Sequence, residues 1–173
     1  FTDPLPTPFI LINLNRVKKQ FEELKSCFPQ TDIYFSVKAN PAVEIISLLY
    51  QLGSNFDIAS IYEMDKVLSV GVEPEKLLFG NTIKKAKDIE YAYQKGIRLF
   101  ASDCQSDLEN IAKYAPGSKV YIRILVQGGE TADWPLSRKF GCHPMAALTL
   151  LGQALELGLH PYGISFHVGS QQR

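Results

Sequence analysis

Cysteine is scarce in these 173 residues: Cys27, Cys104 and Cys142 stand far apart, with no C-x-x-C pair. A sparse, odd set excludes a disulfide framework and points to reduced thiols in a cytoplasmic setting. Histidine is equally thin. His143, His160 and His167 lack the spacing of a zinc site, so no metal centre is expected. Net charge is absent too, because 18 basic side chains balance 18 acidic ones. That removes the electrostatic argument for nucleic acid or an anionic membrane surface. No apolar run reaches the roughly 20 residues of a membrane span, and no signal-peptide pattern opens the chain, which begins at Phe1. The remaining composition, 46% hydrophobic and 21% charged, is that of a globular chain with one sizeable core.

What is present is a rhythm. Beyond residue 30, strand-like runs alternate with helical patterns: IYFSV (33–37), FDIA (56–59), KLLFG (76–80), IRLFA (97–101), KVYIRILV (119–126) and YGISFHV (162–168). Between them, Ile45, Ile46, Leu48, Leu49 and Leu52 make one helical face, and Leu108, Ile111, Ala112 and Ala115 another. Gly53, Gly71, Gly96 and Gly158 fall where a left-handed helix C-cap precedes the next strand. Six strands joined by helix-length crossovers imply a parallel α/β sheet. Ahead of them, PFILINL (8–14) reads as a separate strand, followed by a helix with Val17, Phe21, Leu24 and Phe28 on one face. The longest irregular stretch, 127–144, has a length usually associated with function or mobility.

A doubly wound dinucleotide fold would show G-x-G-x-x-G after its first strand, whereas Lys38-Ala39-Asn40-Pro41 stands there. A barrel predicts instead polar residues at the C-terminal ends of several strands. Strand parity supports this. Ile33, Phe35 and Val37 oppose Tyr34, Ser36 and Lys38; Phe56 and Ile58 oppose Asp57; Val120, Ile122 and Ile124 oppose Tyr121 and Arg123; Ile164, Phe166 and Val168 oppose Ser165 and His167. Each apolar face suits packing under helices, and each backs a face carrying Lys38, Asp57, Arg123 or His167. Any one of these alone reads as a surface lysine, a self-satisfied Arg–Asp pair or a hydrogen-bonded core histidine. Four strands agreeing on one polar interior favour a shared site, since unpaired buried charge is costly. A desolvated lysine is a nucleophile toward aldehydes, an imidazole can lie against a planar ring, and HVGS (167–170) offers backbone N–H groups and Ser170 to a phosphate. Together these suggest pyridoxal phosphate (PLP).

TPFILINLNRV (7–17), FSVKANP (35–41), FDIAS (56–60), GNTIKK (80–85), FASD (100–103), RKFG (138–141) and GISFHVGSQ (163–171) resemble, in order, the fold-type III PLP-dependent decarboxylases. This group acts on ornithine, lysine, arginine or diaminopimelate and is related to alanine racemase. The resemblance implies that Lys38 forms the Schiff base with the cofactor, His167 stacks on its ring and Ser170 binds its phosphate. Asp57, Glu63 and Arg123 match polar positions around it. It further implies a (β/α)8 barrel of which residues 15–173 hold about the first six strands, where a closed barrel takes about 250 residues. Residues 1–14 would contribute a strand to a second, C-terminal β domain. The implied activity is decarboxylation of a basic amino acid. ADWPLSRKFG (132–141) resembles the ornithine/lysine branch, which yields putrescine or cadaverine for polyamine biosynthesis. The implied assembly is a homodimer with shared active sites, and this segment alone is expected to be inactive. A non-catalytic homologue that binds another protein, or a racemase-type single barrel, are the alternatives.

Overall fold

The computed structural model describes residues 6–126, 132–134 and 139–172. Strands and helices alternate as β1 (Tyr34–Ser36), α2 (Val43–Gln51), β2 (Asn55–Ile58), α3 (Ile61–Ser69), β3 (Leu77–Phe79), α4 (Ala86–Gln94), β4 (Leu99–Ser102), α5 (Gln105–Tyr114), β5 (Lys119–Arg123), α6 (Pro144–Glu156) and β7 (His160–Ser165), with α1 (Leu14–Cys27) leading. A short pair, β6 (Ala132–Trp134) and β8 (Ser170–Gln172), stands apart. The main sheet runs β1-β2-β3-β4-β5-β7, all parallel. Tyr34 on one edge strand and Tyr162 on the other line the same cavity as β2 to β5, so the sheet curls around a common interior.

Each helix ends where its sequence withdraws support for another turn. After α2, Gly53 (φ +87°) donates to Tyr50 O and Ser54 to Leu49 O, the paired bonds of a Schellman motif. The same two bonds close α4 at Gly96 and α6 at Gly158. At α3 the start is fixed as well. Ser60 Oγ accepts from Glu63 N, and the Glu63 carboxylate reaches back to Ala59 N at 2.7 Å, a close relative of the capping box.

The core lies between sheet and helices, as parity predicts. Phe56, Ile58, Phe79, Phe100, Val120 and Ile122 leave the sheet on the outer side and are buried against Ile46, Leu49, Met64, Val67, Ile89, Leu108 and Ile111. Each fully buried side chain of this size contributes about 1.5–3 kcal/mol. Phe79 and Phe100 are register partners with rings stacked at 6.2 Å.

Residues 9–13 form no strand of this sheet, Leu14 begins α1 and Ile10 is 88% exposed; the strand expected there is one of a second domain, not of this sheet. Two expectations need correction. The outer face of the last parallel strand is uncovered: Ile164 and Phe166 are 59% and 62% exposed, because β7 is the free edge of the sheet. Strand β1 also stops early. Val37–Ala39 wind into one 3₁₀ turn, so Lys38 rides on a turn rather than a strand tip. Pro41 forces Asn40 into extended backbone (φ −160°, ψ 104°) immediately afterwards, which ends that turn.

Candidate active site

The interior of the curl is a cavity of about 500 Å³, lined by Tyr34 and Leu99 at strand starts as well as by residues toward the strand ends. Asp57 from β2, Arg123 from β5 and His167 beyond β7 line it together. Strand parity placed all three on the inner face. Lys38 and Ser170, equally expected, are not among the residues lining it.

Asp57 is half-buried. Its Oδ2 accepts from Ser36 Oγ at 3.1 Å, while Oδ1 is buried without a partner among the described residues. Burial pushes its carboxyl above the ordinary carboxylate value; the Ser36 hydroxyl and the charge of Lys38 oppose that rise. The carboxylate occupies the space a Cβ at position 80 would need, which accounts for glycine at the head of GNTIKK. Glu63, matched by resemblance to the cofactor surroundings, spends its carboxylate on the cap of α3 and acts on Asp57 only through its charge.

Lys38 is exposed on its 3₁₀ turn, which Asn40 braces by accepting from Ala42 N at 3.1 Å. Its charge acts on Asp57 and His167 alike. His167 accepts at Nδ1 from Gly169 N–H at 2.9 Å. Partial burial, then the charges of Arg123 and Lys38, hold the imidazole below its usual value. The neutral ring is therefore favoured at pH 7. This also commits one N–H of the HVGS turn that the sequence offered to a phosphate. Ser170 is exposed, and its backbone pairs antiparallel with Trp134 in the β6–β8 pair.

Arg123 is half-buried. Burial lowers its guanidinium from the ordinary value, opposed first by Asp103 and then by Tyr121 and Asp57. Tyr121 also lines the cavity; burial raises its hydroxyl strongly, with the nearby Asp57 carboxylate adding to the effect. Sequence reading passed over Tyr121 and Asp103, although Tyr121 shares the face of Arg123 and Asp103 closes the FASD run. No group of three or more His, Cys, Asp or Glu suited to a metal occurs among the described residues. No helix among them is long and apolar enough to cross a membrane.

Fold and site define the class first: a parallel α/β barrel segment whose reactive groups converge at the strand C-termini. The family follows from comparison. Residues 14–173 match the pyridoxal binding domain of pyridoxal-dependent decarboxylases, and the chain belongs to that family. It is 38% identical over 167 residues to the lysine/ornithine decarboxylase of Selenomonas ruminantium, covering 96% of this chain and 42% of that protein. The crystal structure of lysine decarboxylase from the same organism superposes with a TM-score of 0.92 at 37% identity, over 99% of this chain and 45% of the other. The arginine decarboxylase of Paramecium bursaria Chlorella virus gives 0.88 at 31% identity, over 92% and 43%. The chain thus spans about two-fifths of the length of these relatives.

Proposed function

We propose that this chain forms the cofactor-holding part of a PLP-dependent decarboxylase acting on a basic amino acid, ornithine or lysine, and releasing putrescine or cadaverine. The observation that carries the reading is the convergence of Asp57, Arg123 and His167 on one cavity, with the charge of Lys38 acting on both Asp57 and His167. The lysine/ornithine and lysine decarboxylases among its relatives support the substrate class. The exposed apolar run Phe9–Ile12 supports a second domain as its partner, because such a run needs cover.

The residues present fit PLP. Asp57 Oδ1 is a buried acceptor awaiting a donor, which a protonated ring substituent supplies. Lys38 presents a primary amine to an aldehyde. His167 offers the flat face of a neutral ring, held in orientation by Gly169. When bound, PLP supplies an electron-accepting ring that stabilises the charge left on Cα as carbon dioxide departs. The chain's own part is to anchor, orient and neutralise. Lys38 fixes the cofactor, Arg123 and Lys38 favour the ionised form of Asp57 against burial, and the same two cations favour neutral His167. Ser170, which is exposed, is the residue proposed to hold the phosphate.

Borohydride reduction of the protein with PLP present, followed by peptide mapping, tests this. A phosphopyridoxyl group on Lys38 is the expected result. Modification confined to other lysines, or none, overturns the assignment.

A further inference from the structure

The RKFG run was singled out by sequence, yet neither Lys139 nor Phe140 lines the cavity. Its geometry gives it a different task. Cys142 N donates to Arg123 O at 2.9 Å, Leu125 N donates to Cys142 O at 2.8 Å, and Ile124 bridges Cys142 in parallel register. The segment therefore lies as an added strand against the C-terminal end of β5, at the residue that carries the guanidinium.

Gly141 makes that approach possible. Its φ is +93°, and a Cβ there would come within 2.8 Å of the Ile124 carbonyl carbon. Both the dihedral and the contact exclude a side chain. Its N–H donates to Asp103 Oδ2 at 2.8 Å, tying the turn to the end of the neighbouring β4. Phe140 then lays its ring 5.0 Å from the Arg123 guanidinium carbon, on the geometry of a cation–π contact.

We propose that Phe140 and Asp103 are positioning residues for the Arg123 guanidinium in the cavity, Phe140 through its ring face and Asp103 by tying down the Gly141 turn that presents that ring. This deepens the proposed function and rests on it. An arginine side chain left free gains rotamer entropy by swinging into water. Held in place, Arg123 acts on both Asp57 and His167. Besides Arg123, Lys38 after β1 acts on His167 through its charge, and Asp57 on β2 and Tyr121 on β5 line the same cavity. Of these two cations, Arg123 is the one that the 139–142 segment touches among the described residues.

The test is an NMR titration of His167 in the protein without PLP, for the unmutated chain, Phe140→Leu and Phe140→Tyr. Leucine keeps apolar bulk but removes the π face. In Phe140→Leu the His167 midpoint moves up toward that of a free imidazole, because a nearby cation has left, and PLP retention weakens roughly three- to tenfold. Phe140→Tyr restores both. A His167 midpoint unmoved in Phe140→Leu overturns the proposal, even if thermal stability falls, because Phe140 would then be filler. Should Phe140→Leu fail to fold, the Arg123 Nε–H resonance of the unmutated protein decides. A ring-current displacement is expected, and a random-coil position overturns it. Since His167 is titrated without cofactor, failure of PLP to bind counts against the function reading alone.

Discussion

Two lysine–aspartate settings stand at the strand ends of this sheet, and they are built to opposite specifications. Lys84 and Asp107 are sealed, their side chains 0% and 8% exposed. The Lys84 ammonium donates to Ala101 O at 2.6 Å, Asp107 Oδ2 at 2.8 Å and Asn81 O at 3.0 Å, with Thr82 O a longer fourth acceptor at 3.5 Å, so its three donors are saturated. Burial pushes the ammonium down and the carboxyl up, and their mutual attraction opposes both. Lys38 and Asp57 are the reverse: an exposed amine, and a carboxylate with one buried oxygen unpaired. A saturated pair has nothing to offer a ligand and serves to fasten the β3–α4 loop to β4 and α5. An unsaturated pair costs stability and keeps binding capacity in reserve.

The largest effect expected from this contrast is at Lys84. Lys84→Ala strands the Asp107 carboxylate in an apolar setting and should cost about 3–5 kcal/mol in urea unfolding. The double replacement Lys84→Met/Asp107→Leu, which removes both charges and refills the space, should recover most of that loss. A Lys84→Ala cost below about 1 kcal/mol would break the comparison, because the pair would then be no fastener.

Asp57 should respond with the opposite sign and a smaller size. Its folded carboxyl titrates above its unfolded value of about 3.9. An acid raised in this way leaves stability untouched below the unfolded pKa. Stability then falls as pH rises from there through the folded value. Asp57→Asn should therefore gain about 1 kcal/mol at pH 7, with no gain at pH 3. Stability curves at the two pH values check it, and a loss at pH 7 would mean Asp57 is already satisfied in the free protein.

The same contrast explains what the sequence could and could not reveal. The six parallel strands, the outward core and the inward placement of Asp57, Arg123 and His167 all follow from a period of two and from glycines at helix ends. Both are local rules. The role of Lys84 was not legible, because GNTIKK shows two adjacent lysines and only the fold decides which one turns inward. The clamp on Arg123 was hidden for a related reason: Asp103, Phe140 and Arg123 lie on three segments joined only by tertiary contact. The missed exposure of Ile164 and Phe166 has another cause. Parity identifies a face but cannot say whether a helix arrives to cover it.

Lys38→Ala should show the smallest change in stability and so sharpens the comparison most. An exposed lysine on a 3₁₀ turn contributes no buried contact, and its removal should alter unfolding free energy by no more than about 0.5 kcal/mol. Yet the same change should abolish reductive fixation of PLP, while Lys84→Met/Asp107→Leu leaves that fixation in place. The outcome separates two ways of using one residue type. Where an ammonium is saturated its loss is felt as instability, and where it is left free its loss is felt only by the ligand. Equal stability losses at Lys38 and Lys84 would erase the distinction and make Lys38 a second structural pin.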